Sequence, residues 1–373
     1  MLLSGGVDSS VALHLLRRAG HRVTAFYLKI WLEDELAHLG ACPWEEDLHF
    51  ARAVCAATDV PLEIVSLQRE YHERVVAAAI EELKRGRTPS PDVRCNRHVK
   101  LGAFLEQLDA DGRTFDAIAT GHYASVERRI DGVALLRGVD ARKDQTYFLH
   151  SLTRPQLERC VFPLGGLHKA EVRQLAESLG LPNRHRRDSQ GLCFLGKIPY
   201  DDFVRAHLGD QPGPILDLAS GDRLGTHRGL WFHTIGQRKG LGLADGPWFV
   251  VAKETKSRAL WVSHGARLAE HRTRHFRVPD PHWLSPLPRA TAGAFDVRLR
   301  HTPALSAARW SASVSEGEPQ GLLVSLHTPD SGIAAGQSAV FYRGRRCLGG
   351  GVLELLPGAH EGIQEAASRD FDR

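Results

Sequence analysis

Apolar positions through roughly the first half of the chain alternate between two periods. Val11, Ala12, Leu15, Leu16 and Ala19 fall on one face of a helix predicted from Ser10 to Ala19, and Gly20 stops it. Val23 to Ile30 is then a nearly continuous apolar run, as a strand covered on both faces requires, and Leu62 to Leu67 and Phe115 to Thr120 repeat it. Helical spacing fills the intervals at about Glu45 to Thr58, with Leu48, Ala51 and Cys55 at steps of three and four, at about Arg69 to Arg85, and at about Asn96 to Leu108. Buried strands alternating with helices predict an α/β fold built on a doubly wound parallel sheet, which binds ligands at the carboxyl ends of its strands. Ala134 to Val139 reads as one strand of a hairpin. Helices at about Arg154 to Cys160 and His168 to Leu179 complete a first domain over residues 1–196.

The pattern changes after that. From 197 to 274 the alternation fails and glycine, proline and short strands dominate, which predicts a small connecting domain. From 275 to 357 short β runs, such as Ala294 to Leu299, Gly321 to Leu326 and Ser338 to Tyr342, lie between Gly, Pro and Asp turns, predicting an antiparallel β-barrel. Residues 358–373 lack apolar periodicity and read as a disordered tail. No internal repeat is visible.

Composition narrows the class. With 42% hydrophobic and 25% charged residues among 373, the chain is a folded protein long enough for two or three cores. A net charge of +4 permits a nucleic-acid partner without demanding one. No run of about 18 apolar residues occurs, so a cytoplasmic protein without membrane association is expected. The six cysteines, at 42, 55, 95, 160, 193 and 347, form no CxxC pair and no zinc-like spacing. Reduced thiols are therefore expected, and no residue is assigned as a metal ligand.

Several stretches carry candidate chemistry. Ser4-Gly5-Gly6-Val7-Asp8-Ser9-Ser10 joins the short apolar segment Met1-Leu2-Leu3 to the first helix. Its glycines allow a tight turn and close approach of an anion to the backbone, at a helix start whose N–H groups favour negative charge. No Gly-Lys-Ser/Thr triplet closes it, so it is not the common P-loop. In Thr88-Pro89-Ser90-Pro91-Asp92-Val93-Arg94-Cys95-Asn96 two prolines stiffen a loop that projects Asp92 and Cys95 just before a helix. Cys95, with Arg94 and Arg97 beside it, is either a reactive thiolate or a buried thiol. Asp92 either orients and deprotonates or caps the helix. Thr120-Gly121-His122-Tyr123 ends a strand, where Gly121 allows close approach and His122 is a structural histidine or a base. Lys143 and Gln145 suit phosphate and base edges. Four basic residues, Arg184 to Arg187, precede Asp188-Ser189-Gln190-Gly191-Leu192-Cys193-Phe194, and Cys193 would gain from their positive field. Gln237-Arg238-Lys239 is either a nucleic-acid loop or a solvated turn, and Cys347, in a late strand, suits packing.

Taken together, SGGVDSS, TPSPDVRCN, ATGHYA, KDQTYFL and DSQGLCF, in that order, resemble the tRNA-specific 2-thiouridylases, the MnmA family, over nearly the whole chain. The first loop resembles the pyrophosphate-binding loop of ATP pyrophosphatases. Gly236 to Gly242, Phe341-Tyr342 and Cys347 to Gly351 also look like that family.

The resemblance implies ATP-dependent replacement of the C2 oxygen of the wobble uridine of tRNA by sulfur. In that scheme Leu2, Leu3, Ser4, Gly5, Gly6, Val7, Asp8 and Ser9 hold ATP phosphates, Leu28 stands where an adenine-contacting methionine is usual, and Gly121 lines the nucleotide pocket. Cys193 carries a persulfide from a sulfur-donor protein, a cysteine desulfurase or sulfur-relay protein, and Cys95 is the nucleophile. Ser90, Pro91 and Asp92 touch the target base; Lys143, Asp144 and Gln145, with Arg300 and His301, contact tRNA. Mg²⁺ accompanies the nucleotide. An iron–sulfur cluster on Asp92, Cys95 and Cys193 stays open as the alternative sulfur chemistry. Two other readings are an amide-forming synthetase of the same ATP-pyrophosphatase type and a non-catalytic tRNA-binding protein. Three features depart from the family pattern: Ser90 replaces a usual asparagine, His301 a usual tyrosine, and Met1-Leu2-Leu3 is short enough to raise the question of a late start and a weakened central strand.

Overall fold

The short apolar segment Met1-Leu2-Leu3 is the middle of the N-terminal sheet. In the computed structural model, which describes residues 1–30, 44–130, 132–188, 198–284, 292–315 and 318–356, it is bonded on both sides. Leu3 N–H donates to Phe26 O at 2.9 Å and Phe26 N–H to Met1 O at 2.8 Å, while Leu2 N–H donates to Ala119 O at 2.9 Å. Strand β1 (Ala25–Lys29) pairs in parallel with β2 (Leu62–Ser66), and β3 (Ile118–Ala119) pairs in parallel with β6 (Cys160–Val161). The parallel order is therefore β2, β1, the 1–3 segment, β3, β6.

Period-two alternation explains why so short a segment holds. Leu2 and Phe26 point to one face, against Tyr71, Val75, Leu101 and Phe104. Met1, Leu3, Ala25 and Tyr27 point to the other, against Val11, Leu48, Val54 and Val172. Burying a side chain the size of leucine contributes roughly 1.5–3 kcal/mol, so both faces reinforce the strand. Helices accordingly cover both sides, as expected for a doubly wound sheet.

Helix α1 (Val7–Arg18) starts three residues before the predicted position, with Gly6 as its N-cap, Asp8 in its first turn and Arg17 and Arg18 in its last. A larger difference lies at 91–110. Helix begins at Pro91 and runs through Pro91–Cys95, a wider turn at Asn96–Ala103 and Phe104–Ala110 without a break. Pro91 at the first helical position starts the helix rather than stiffening a loop. Cys95 therefore lies inside a helix, not in a loop ahead of one.

The hairpin predicted near Ala134 consists of β4 (Ala124–Arg129) and β5 (Gly132–Arg137). Its second strand pairs antiparallel with β17 (Arg346–Val352), Leu136 opposite Arg346 and Leu135 opposite Cys347. A hairpin of the first domain thus extends the sheet of the last. That sheet includes β13 (Ala292–Arg298), β14 (Ser306–Ser315), β15 (Glu318–Asp330) and β16 (Ser338–Arg343). It closes over Phe276, Val297, Trp310, Val324 and Phe341, with Phe295 stacked on Phe341 at 4.4 Å.

Between them, a four-stranded sheet packs Ile215, Val250, Leu260 and Val262. A helix at Tyr200–Leu208, absent from the expectation for this stretch, precedes it. Its acidic first turn, basic last turn and Gly209 at φ 66° mark it, and Phe203 and Val204 bury its apolar side. Among the described residues no helix is long and apolar enough to cross a membrane.

Candidate active site

The loop Ser4–Gly6 leaves the carboxyl end of the central strand and turns directly into α1. Gly5 sits at φ 73°, and a Cβ there would strike the Asp47 carbonyl oxygen, so both backbone angle and space call for glycine. Hydroxyls close the turn: Ser9 Oγ and Ser10 Oγ donate to Gly6 O at 3.0 and 2.9 Å, and Ser4 N–H donates to Ser9 Oγ at 3.3 Å. From outside, Asn183 Nδ2 donates to Gly5 O at 2.7 Å and to Ser10 Oγ at 2.8 Å. Arg186 bonds Gly5 O at 3.2 Å and pairs with Asp47. The loop is held in shape by the chain itself, with the first N–H groups of α1 at its open end.

Gly121 packs against that same turn. A Cβ on it would lie 2.9 Å from Ser9 N and 3.0 Å from Ser9 Cα, so a larger residue would push α1 away from the sheet. Leu28 is half-buried at the end of β1, and the side chains of Leu2 and Leu3 belong to the two cores. His122 bonds Thr120 Oγ1 through Nδ1 at 2.7 Å, and burial, with Lys100 nearby, lowers its pKa to about 3, so it stays neutral.

A charge cluster that the sequence reading missed flanks α1. Asp8 Oδ1 accepts from Tyr123 Oη at 2.8 Å and from Lys169 Nζ at 2.7 Å. Lys169 also reaches Asp188 at 2.8 Å, where Lys143 binds at 2.7 Å and Arg173 makes a third pair. Partial burial pushes the Asp188 carboxyl up, but Lys143 and Lys169 outweigh it and hold the group far below the usual range. Burial and the neighbouring Asp8 raise Tyr123 so far that it stays a donor. One signal was available: Lys169 opens a helix, where the dipole disfavours a cation unless an anion is close. Lys143, expected to contact tRNA, thus belongs to the charge cluster beside the first turn of α1.

The three expected substrate segments converge nearby. Thr88 N–H donates to Ala335 O at 2.8 Å. Ser90 is the N-cap of the 91–95 turn, and its hydroxyl bonds Tyr147, whose Oη also faces Leu299 O at 3.3 Å and Ser338 O at 3.2 Å. Asn96 Nδ2 donates to Phe148 O at 3.1 Å. His301 packs on the Phe148 ring at 4.5 Å and bonds Asp144 O through Nε2 at 3.1 Å. Its ring also feels the charge of Asp92. Arg300 pairs with Asp330 at the surface.

Two of these expectations need correction. The Asp144 carboxylate is not available to tRNA: it is fully buried, bonded to Arg137 at 3.0 Å, Arg298 at 2.9 Å and Thr146 Oγ1 at 2.9 Å. Gln145 turns its amide oxygen inward, accepting from Tyr123 N–H at 2.9 Å.

Cys95 is 2% exposed, among the apolar residues of the first core, which is a different setting from the polar loop expected for it. Cys193 lies outside the described residues. Burial pushes the Cys55 thiol up to about 11 and those of Cys160 and Cys347 up to about 12, which leaves them to packing. Among the described residues no group of three or more His, Cys, Asp or Glu side chains is set to hold a metal ion.

Three family models match in tandem: tRNA methyl transferase HUP domain over residues 1–197, tRNA methyl transferase PRC-barrel domain over 201–264, and aminomethyltransferase beta-barrel domain over 273–353. The tRNA-specific 2-thiouridylase MnmA 1 of Bacteroides thetaiotaomicron is 44% identical over 357 residues, 94% of this chain and 98% of the relative. MnmA of Parabacteroides distasonis is 42% identical over 365 residues, 94% and 97% of the two chains. The chain belongs to the tRNA-specific 2-thiouridylase family. The fold agrees with that membership, as an ATP-pyrophosphatase-like α/β domain is followed by a small barrel and a C-terminal β-barrel. Among solved structures, NMN synthetase of Francisella tularensis is similar at 17% identity over 56% of this chain and 76% of that one, with a TM-score of 0.31, too low to add to this.

Proposed function

We propose that this protein uses ATP to replace the C2 oxygen of the wobble uridine of tRNA by sulfur. The observation that carries the proposal is likeness to named 2-thiouridylases over 94% of the chain; the turn at the start of α1 and the lysine beside it support the nucleotide part of it. The first turn of α1, with Ser4, Gly5, Gly6, Val7, Asp8 and Ser9, binds the polyphosphate, and Lys169 and Lys143 exchange Asp188 for phosphate oxygens. Gly121 and Leu28 face the nucleoside. Mg²⁺ fits as an ion held mainly by phosphates with Asp8 as its one protein carboxylate, and it would neutralise charge during adenylyl transfer.

Ser90, Pro91 and Asp92 present the uridine, and its C2 oxygen attacks the α-phosphorus, releasing pyrophosphate and leaving AMP on oxygen. The outer sulfur of a Cys193 persulfide, loaded by a donor protein, then displaces AMP at C2. Cys95 thiolate attacks the Cys193 sulfur, breaking the S–S bond, so that thiouridine leaves and a Cys95–Cys193 disulfide remains for a thiol reductant. This role requires the cover over Cys95 to be displaced when tRNA binds. Of the residues an iron–sulfur cluster would use, Asp92 and Cys95 are the described pair, and no step is routed through a cluster. Arg300 and His301 grip the tRNA.

The test is mass spectrometry of tRNA nucleosides after incubation with ATP, Mg²⁺ and a sulfur donor. Intact protein is expected to form 2-thiouridine derivatives, and Cys95→Ser and Cys193→Ser none. Thiolation surviving in both variants would overturn the assigned roles.

A further inference from the structure

Arg298 is the largest side chain buried below 2% exposure in the molecule's described residues, and nothing above gives it a task. Its Nη1 reaches Asp144 Oδ2 at 2.9 Å, while its Nε and Nη2 have no hydrogen-bond partner among the described residues. The Tyr342 ring lies 5.2 Å from the guanidinium carbon. A buried guanidinium with two unmet donors is costly, and a buried ion pair replaced as a whole by apolar side chains of similar volume is commonly as stable or more so. Stability alone therefore does not explain an arginine at this position.

Its connections do. Asp144 lies between Lys143, which is linked through Asp188 and Lys169 to Asp8 in the first turn of α1, and Gln145, which bonds Tyr123. Arg298 ends β13, immediately before Leu299, whose carbonyl faces Tyr147, and before Arg300 and His301. Asp144 is thus tied twice to one short stretch of the barrel, by its carboxylate to Arg298 and by its carbonyl to His301 at 3.1 Å. Arg137, the second arginine on Asp144, sits at the end of the hairpin strand that joins the barrel sheet.

We propose that Arg298 is a positioning residue: through Asp144 it fixes the 300–301 end of the barrel against the 143–145 segment, so that tRNA held by the barrel presents its base at the phosphate loop. This rests on the functional reading above. A guanidinium suits the task because its plane lies over the Tyr342 ring while Nη1 holds Asp144, which sets an orientation as well as a distance.

The experiment compares thiolation kinetics of the full chain and of Arg298→Met, with ATP, a sulfur donor and tRNA, alongside melting temperatures. The expected result is a kcat lower by about ten- to a hundredfold, as misplacement of a reacting group by roughly 1 Å would cause. KM for tRNA and for ATP should stay within about threefold, because the groups that bind each are intact. An unchanged kcat in folded Arg298→Met overturns the proposal. So does a kcat that falls with Arg298→Met but recovers in Asp144→Asn/Arg298→Met, since removing both charges repairs stability but not orientation. If Arg298→Met fails to fold, Arg298→Lys is read instead: it keeps the charge and loses the planar group over Tyr342, with kcat expected to fall about three- to tenfold at constant KM, and an unchanged kcat overturns the proposal. Failure of the unaltered protein to thiolate tRNA would instead defeat the functional reading.

Discussion

Two aspartates, each surrounded by cations, behave as opposites. Asp188 is partly exposed and shared by Lys143, Lys169 and Arg173, beside the first turn of α1. Asp144 is closed off from water and holds Arg137 and Arg298 in the seam between the first domain and the barrel. An open cluster can lend its cations to a phosphate, because water and ligand compensate the carboxylate left behind. A closed one cannot, because any uncompensated charge there stays in a medium that does not solvate it. Burial, more than residue type, separates these two aspartates.

The sharpest way to break the comparison is to remove each carboxylate. Asp144→Ala strands Arg298 and should cost on the order of 3–5 kcal/mol in denaturant unfolding, whereas Asp188→Ala should cost under about 1 kcal/mol. Equal losses would mean that the two sites do not differ as described. Next in size is Lys169→Met, expected to weaken ATP binding by about 1.5–3 kcal/mol, roughly ten- to a hundredfold, as loss of a charge-assisted contact does. A nucleotide titration with unchanged affinity would remove Lys169 from the site.

A smaller effect concerns acid. Because the folded pKa of Asp188 is depressed, its contribution to stability is present above the ordinary carboxylate value of 3.8 and is lost as pH falls below it toward the folded value. Asp188→Asn should therefore lower stability by a constant amount near neutrality and flatten the profile below about pH 4, where the two curves converge; parallel curves for the two proteins would contradict the pairing. The smallest effect is expected for Arg300→Ala at the exposed Asp330 pair. Its stability should change by less than about 0.5 kcal/mol, while tRNA affinity falls a few-fold and the salt dependence loses about one unit of slope.

Strands that are apolar on both faces announce themselves, which is why the doubly wound sheet could be read from runs such as Val23 to Ile30. The loop at Gly5 was readable for a similar reason, since a glycine pair between strand and helix has few structural solutions. Other features left no local signature. Strand β4 carries Glu127, Arg128 and Arg129 and lacks the apolar run of a buried strand, so its place in the hairpin comes from pairing with β5. Tyr200–Leu208 is too short for periodicity to outweigh the turn-rich sequence around it. Cys95 was read from its polar neighbours, yet helix geometry turns its side chain away from Arg94 and into the core. The Asp144–Arg298 pair joins segments far apart in the chain, and nothing in KDQTYFL marks the aspartate as buried along with Thr146, Tyr147 and Leu149.

The pairing of Leu135 and Leu136 with Cys347 and Arg346 bears on anyone who would divide this protein for separate study. A barrel cut free of its first domain would leave the Arg346–Cys347 stretch of β17 as an open edge with unmet amides and carbonyls, prone to recruit a strand from a neighbouring molecule. Truncations should therefore keep residues 124–137 with the barrel, or graft that ribbon onto it, even though in sequence it belongs to the other end of the molecule.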